Sequence, residues 1–227
     1  MLRILPLVAA WIGLGALSPA AWSYSLDPIV TVIELPSGSS GETIVVRNPR
    51  DFPLAVTFEI VERTVHDDGT ETQAPADDMF LIFPPQAIVP AGRTQALRVQ
   101  WVGPRVSASR SFTLYGVEAP VNLAGEDGSG IRTILKIGAS VHVTQTGLRS
   151  KPVLSSSQKV DNGVEVQIAN EGNRFIYVDD LALTFEDKTV AGQELANFAV
   201  RTLIPPGATR TFVVPDVDGV PALKRVR

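Results

Sequence analysis

The stretch "GIRTILKIGASVHVT", Gly130 to Thr144, decides the fold prediction. From Ile131 onward every second side chain is apolar or nearly so: Ile131, Thr133, Leu135, Ile137, Ala139, Val141 and Val143. The intervening residues are mostly polar or small, and a repeat of two residues is that of a β-strand with one apolar face. The polar, glycine-rich loop "NLAGEDGSG" precedes it. The sequence therefore predicts a long strand whose apolar face has to be covered.

The chain begins with a short apolar run that is typical of exported proteins. Arg3 supplies a positive charge, residues 4–17 are almost continuously apolar, and small residues follow at Ala21 and Ser23. This is the pattern of a secretory signal peptide, which we assign to residues 1–23. The run is shorter than the roughly 20 residues of a membrane-spanning helix. We therefore expect cleavage and no stable membrane insertion afterwards.

The composition narrows the class of protein. Of 227 residues, 44% are hydrophobic, which is ample for packed cores, and the net charge of −4 argues against a nucleic-acid surface. The absence of cysteine excludes disulfides, cysteine nucleophiles and thiolate metal sites. An exported chain without disulfides is compatible with a bacterial periplasm.

The remainder of the chain also has the rhythm of strands separated by turns. Alternating or β-branched runs at Ile29–Leu35, Thr43–Asn48 and Leu54–Val65 are followed by similar segments at 8–12-residue spacing, and no long stretch has helical periodicity. The sequence "TQTGLRSKP" at 144–152 has the composition of a linker. We therefore predict an all-β protein of two immunoglobulin-like β-sandwich domains, residues 24–146 and 147–227.

The two halves also echo each other. "VVRNPRDFPLAVTF" matches "VQIANEGNRFIYVDDL", and "IVPAGRTQALRV" matches "LIPPGATRTFVV". Each half has a strand, an asparagine, a short turn, and later a proline–glycine turn before another strand. We interpret this echo as two related domains, the first of which is expected to be filled by Phe80, Phe83 and Phe112.

The sequence contains no convincing catalytic or metal-binding constellation. His66 and His142 are the only histidines. His66 opens a polar loop, and His142 lies on the polar side of its strand, where a surface or interface position is expected. The acidic residues of "DDGTE" lack the ligand spacing of a calcium loop. We predict no enzyme, no cofactor and no metal.

Several segments, in the right order, resemble the PapD-like periplasmic pilus chaperones. They include "TIVVRNPRDFPLAVTFEIVER", "DDMFLIFPPQAIVPAGRTQALRVQWVGP", "SRSFTLYGVEAPV" and "IANEGNRFIYVDDL". The sequence pattern "FLIFPPQ…ALRVQWVG" is most similar to that of the archaic branch of chaperone–usher systems. The resemblance covers most of the chain beyond residue 23, and it implies two immunoglobulin-like sandwiches joined by a short linker at an angle.

The resemblance also implies a mechanism. In this family the chaperone is periplasmic, and the last strand of its first domain is lent to an incomplete pilus or fimbrial subunit. The subunit is then delivered to an outer-membrane usher. An open sheet edge is an aggregation hazard unless it is protected or paired with a partner. Strand addition pairs the backbone of such an edge while alternate side chains fill the partner's groove. The lending residues would be Ile131, Thr133, Leu135 and Ile137.

Two ionic features of the family are missing at the matched positions. The classical branch of the family holds the carboxylate at the subunit's C-terminus with an arginine and a lysine, and these positions fall near Val30 and near Ser140. The nearest candidate anchors are Arg98, Lys136 and Arg132. An interdomain ion network is also interrupted: its glutamate falls at Ser111 and its arginine near Thr144, and its aspartate would be Asp216 or Asp218.

Two other classes of function remain open at this point. An exported structural protein, such as a pilus subunit or an adhesin, would bury the 130–144 strand inside its own sandwich. An enzyme built on a β-sandwich would need a site that neither histidine suggests.

Overall fold

The computed structural model describes residues 23–36, 41–66, 70–119 and 134–226. Most of its regular structure is β-strand, as the period-two pattern predicts. The strands of the first half are β1 (Ser25–Asp27), β2 (Val30–Leu35), β3 (Gly41–Arg47), β4 (Leu54–Val65), β5 (Glu71–Pro75), β6 (Phe80–Phe83), β7 (Gln86–Val89), β8 (Thr94–Trp101), β9 (Arg110–Glu118) and β10 (Lys136–Gln145). The predicted signal peptide lies outside the described residues, apart from Ser23.

The second half contains shorter elements. They are β11 (Pro152–Val160), β12 (Gly163–Asn170), β13 (Ile176–Tyr177), β14 (Leu181–Thr184), β15 (Thr189–Ala191), the helix α1 (Gly192–Ala196), β16 (Leu203–Ile204), β17 (Thr209–Pro215) and β18 (Ala222–Arg225). Short 3-10 turns cover Asp77–Met79 and Val178–Asp180.

Two sheets enclose the core of the first half. One has the order β1-β3-β8-β6, and the other has the order β2-β10-β9-β4-β5, with β7 also paired to β4. All pairs are antiparallel except β2 with β10, which run parallel. Buried residues from both sheets, such as Ile44, Phe112 and Val141, pack between them. The arrangement is a β-sandwich.

The second half has a separate core. Sheets β11-β12-β17, β13-β16 and β15-β14-β18 surround buried residues that include Val166, Leu183 and Phe212. The two-domain, immunoglobulin-like fold class predicted from the sequence is confirmed. The boundary between residues 146 and 147 stays a prediction: the buried residues of the two cores lie on either side of it, but Leu148 still packs against the first core.

The internal echo has a structural basis in two buried asparagines. The Asn48 side chain donates to the carbonyls of Phe52, Val89 and Pro90, at 2.9, 3.0 and 3.2 Å. The Asn170 side chain makes the same pattern in the second domain, with three carbonyl acceptors at 2.8–3.4 Å, which belong to Arg174, Ile204 and Pro205. Each asparagine thus ties the end of one strand to two later segments of its own sandwich.

Phe83 was predicted to fill the first sandwich, and that prediction is wrong. Phe80 and Phe112 are buried, with ring centroids 4.8 Å apart, but Phe83 is 70% exposed. Phe80 faces the core at the start of β6, and side chains alternate along a strand, so the residue three positions later faces outward. The sequence contained this information in the spacing of the two phenylalanines.

Candidate functional site

Strand β10 has a partner along most of its length on one side only. It pairs with β9 from Lys136 to Val143, but β2 pairs with its other side only from Ser140 onward. Within the part of the chain that the structure describes, no strand pairs with the outer side of Lys136–Ala139. The first half of β10 is therefore an open sheet edge, which we call the β10 edge.

Two hydrogen bonds establish which backbone groups point to the β10 edge. Glu118 N–H donates to the Leu135 carbonyl at 2.9 Å, and Ser140 N–H donates to the Ile29 carbonyl at 2.8 Å. Odd-numbered residues therefore direct their polar groups toward β9, and even-numbered ones direct them away from it. The N–H and C=O groups of Lys136 and Gly138 thus point to the open side.

The apolar face of β10 changes from buried to half-buried along the strand. Ala139, Val141 and Val143 are buried in the first core, as expected for the end near the linker. Leu135 and Ile137 are only half-buried and pack against the edge of that core. Ile131 and Thr133, the other two predicted lending residues, lie outside the described residues. Their assignment, like that of Leu135 and Ile137, stays a prediction.

The two positions matched to the family's carboxylate anchor are neighbours. Val30 lies directly opposite Ser140 in the parallel β2–β10 pair, at the point where the β10 edge ends. The nearest cation is one that sequence reasoning missed: Arg63 of β4 donates from Nη2 to Ser140 Oγ at 3.3 Å. Its buried Nε atom has no hydrogen-bond partner among the described residues. Nothing in "VERTV" distinguishes Arg63 from a solvated strand residue.

The three anchor candidates from the sequence lie elsewhere. Arg98 is on β8, in the sheet opposite β10, where its backbone partners are Thr43 and Phe83. Lys136 lies on the β10 edge, forms an ion pair with Glu59 and has its ammonium 4.1 Å from the centroid of the Tyr115 ring. Arg132 lies outside the described residues. The structure does not bring Arg98 and Lys136 together.

His142 occupies the interface between the two domains. It is fully buried and stacks on Phe175 of the second domain, with ring centroids 4.0 Å apart. Its Nδ1 is 2.9 Å from Ser111 Oγ and its Nε2 is 2.7 Å from the Tyr177 hydroxyl. Burial lowers the pKa of His142 to about 3, and the positive charge of Arg63 acts in the same direction. A neutral histidine thus links β10 to the second domain.

This neutral link lies where the resemblance to the pilus chaperones predicts an interdomain ion network. Ser111, the position matched to the glutamate, has its hydroxyl within hydrogen-bond distance of His142 Nδ1. Thr144 is buried, and its hydroxyl has no hydrogen-bond partner among the described residues. Asp218, one of the two candidate aspartates, forms an ion pair with Lys159 inside the second domain. Nearby, Arg174 and Glu34 form an interdomain ion pair at 3.9 Å.

Other classes of site are not evident in the described ranges. No group of three or more histidine, cysteine or acidic side chains there is arranged to hold a metal ion. Among the same residues, no helix has the length and apolar character required to cross a membrane.

Comparisons with solved structures identify proteins of the same architecture. A structure of the CsuC–CsuE chaperone–tip adhesion subunit pre-assembly complex from archaic chaperone–usher Csu pili of Acinetobacter baumannii matches with a TM-score of 0.58 at 16% identity. The match covers 89% of this chain and 97% of that one. The E. coli chaperone DraB matches at 0.57 and 19% identity, with 86% of each chain covered.

A Salmonella enterica structure of the SafA pilin in complex with the SafB chaperone matches at 0.57 and 16% identity, covering 88% of this chain and 87% of that one. No protein-family model and no curated protein sequence matches the chain. The identities are low while the coverage is nearly complete in both directions. The chain therefore has the two-domain, immunoglobulin-like fold of the fimbrial chaperones.

Proposed function

We propose that this protein is a periplasmic chaperone that stabilises pilus or fimbrial subunits by donating a β-strand and delivers them to an outer-membrane usher. The donated strand is the β10 edge together with the segment that precedes it. The mechanism is stoichiometric and uses no catalytic residue. The observation that carries the proposal is the open edge of β10 in a chain that has the fold of fimbrial chaperones.

The physical support comes from the backbone of the edge. Lys136 and Gly138 direct N–H and C=O groups away from β9, where a partner strand can pair with them. Leu135 and Ile137 present half-buried apolar side chains at the same place. Main-chain pairing supplies affinity in strand addition, and alternate side chains in a partner's groove supply specificity.

The partner strand would end where β2 begins. Ile29 accepts the Ser140 N–H, so an added strand cannot continue past this point along β10. Arg63 lies here with a buried Nε that lacks a hydrogen-bond partner among the described residues, and a guanidinium favours a carboxylate. Arg63 is thus a better candidate than Arg98 or Lys136 for receiving the C-terminal carboxylate of a subunit.

The signal-peptide pattern of residues 1–23 supports export to the periplasm. The solved structures with this fold include chaperone–subunit complexes, such as the SafA pilin with the SafB chaperone and CsuC with CsuE. Each of these complexes pairs a chaperone with a pilus subunit. By this likeness the partners of the present chain are pilus or fimbrial subunits and an outer-membrane usher.

The test is to purify the tagged protein from the periplasm and to identify the proteins that accompany it. Wild-type protein should yield a soluble 1:1 complex with a pilus subunit. Leu135→Asp or Ile137→Asp should abolish the complex, because an ionised carboxylate cannot enter an apolar groove without a large desolvation cost. Circular dichroism should show that both variants remain folded.

Val200→Asp is the matched control, since Val200 is a 97% exposed apolar residue of the second domain. This variant should keep the complex. If the Leu135 and Ile137 variants bind as well as the control, the strand-donation proposal is refuted. Recovery of the protein in surface fibres instead of the soluble periplasmic fraction would favour the structural alternative, a pilus subunit or adhesin.

A further inference from the structure

Tyr24 lies beneath the point where the β10 edge begins. The side chain is 2% exposed and belongs to the first core. Its hydroxyl donates to the Gly116 carbonyl of β9 at 2.5 Å and lies 3.3 Å from the Leu135 carbonyl. Gly116 is the backbone partner of Ile137 in the β9–β10 pair. One phenol hydroxyl thus contacts both strands where the β10 edge begins.

The surroundings are shaped to admit this ring. A Cβ atom at Gly116 would lie 3.2 Å from Tyr24 Cε2 and 3.3 Å from Val56, so the absence of a side chain there makes room for the phenol. The Arg50 guanidinium lies 5.9 Å from the centroid of the Tyr24 ring and pairs with both carboxylate oxygens of Glu118, at 2.8 and 3.1 Å. Glu118 in turn donates its N–H to Leu135.

The hydroxyl has a role that the ring alone does not fill. A phenylalanine would occupy nearly the same volume, whereas a buried hydroxyl is costly unless it is hydrogen-bonded. Burial raises the pKa of Tyr24 to about 12, and the nearby backbone of Ile137 opposes that rise. The phenol is therefore a neutral group whose hydroxyl contacts one carbonyl on each side, that of Gly116 on β9 and that of Leu135 at the start of β10.

We propose that the Tyr24 hydroxyl is a positioning group that holds Leu135 and Ile137 against β9, so that the opposite side of β10 is presented to a partner as a rigid template. The inference rests on the proposed strand-donating function. A strand that is already ordered loses less conformational freedom when a partner binds. Without the hydroxyl the start of β10 would open more often, and the partner would have to order it.

The test uses Tyr24→Phe in the full exported protein. Amide hydrogen exchange at Leu135 and Ile137 should become about 3- to 10-fold faster, as the loss of one typical hydrogen bond implies, while the β3–β8 pair keeps its protection. The dissociation rate of the co-purified subunit should rise by a similar factor. Gly116→Ala, which displaces the ring but keeps the hydroxyl, should produce the same local change.

Val99→Ala is the matched control, because it truncates a buried side chain on β8 in the opposite sheet. It should lower the melting temperature without selectively exposing Leu135 and Ile137. If Tyr24→Phe and Val99→Ala change exchange and subunit dissociation in the same way, Tyr24 is only a core residue and the inference fails. Faster exchange with an unchanged dissociation rate would also overturn it. Failure of wild-type protein to bind any subunit would instead refute the proposed function, and the exchange measurement would stand independently.

Discussion

A single proline substitution can test whether the β10 edge pairs with a partner strand. Lys136→Pro removes one backbone N–H, and the register places that N–H on the open side, away from β9. The preceding residue, Leu135, is next to an extended strand, which suits a residue before proline. Proline is tolerated on an edge strand when its missing N–H faces solvent. The free protein should therefore fold normally.

The expected loss of affinity follows from the unsatisfied partner. A carbonyl of the added strand would face the proline ring instead of an N–H, and an unsatisfied buried acceptor costs about 1–3 kcal/mol. At about 1.4 kcal/mol per tenfold change, subunit affinity should fall about 5- to 150-fold. Loss of the exposed Lys136–Glu59 ion pair adds less than about 1 kcal/mol.

The assay is the dissociation constant of the subunit complex, measured for Lys136→Pro and for Lys136→Ala. The alanine variant removes the same side chain but keeps the N–H, so the ratio of the two constants isolates the backbone hydrogen bond. Both variants should have similar melting temperatures. Equal affinities for the proline and alanine variants would refute the pairing of Lys136 with a partner strand.

Three further predictions concern the framework of the site. The pKa of His142 is about 3 in the folded chain and near 6.5 in the unfolded chain, so between these values only the unfolded chain binds the proton and stability should fall as the pH falls from about 6.5 toward 3. His142→Gln should flatten a plot of melting temperature against pH. An unchanged slope would contradict the assignment of this pH dependence to His142. Asn48→Ala and Asn170→Ala should each lower the free energy of unfolding by about 2 kcal/mol or more, because each removes the side-chain donor from two carbonyls, those of Phe52 and Val89 or those of Arg174 and Ile204, while Pro90 and Pro205 keep a backbone donor; a loss below about 1 kcal/mol in denaturant titrations would speak against the role of these ties. Glu118→Ala should lower the free energy of unfolding by about 3–5 kcal/mol, since it removes the carboxylate from the buried Arg50 guanidinium. The same denaturant titration measures this loss, and a neutral result would contradict the prediction by showing that other groups compensate the charge of Arg50.

Much of the fold could be read from local patterns, because strand periodicity and turn residues are local properties of the chain. The predicted strand Leu54–Val65 coincides with β4. The matched asparagines, Asn48 and Asn170, indicated two related halves, and both side chains make the same kind of tie. Phe83 was misassigned because its aromatic side chain suggested a core position, whereas its three-residue spacing from Phe80 places it on the opposite face of the strand.

The site was less accessible to this reasoning, because its polar contacts join residues that are distant in sequence. His142 was expected at a surface or an interface, but its burial depends on Phe175 and Tyr177 of the other domain. Arg63 and Ser140 are 77 residues apart, and Tyr24 and Gly116 are 92 apart. No local pattern connects such pairs.

The sequence by itself indicated a strand with one apolar face within residues 130–144, since alternation requires no knowledge of neighbours, and the described part of that segment is strand from Lys136 onward. Only the tertiary structure decided which part of that strand is open. Openness depends on where β2 begins, opposite Ser140, and on which side of β10 the Glu118 hydrogen bond occupies. The apolar pattern is a property of one segment, whereas a free edge is a property of the sheet that surrounds it.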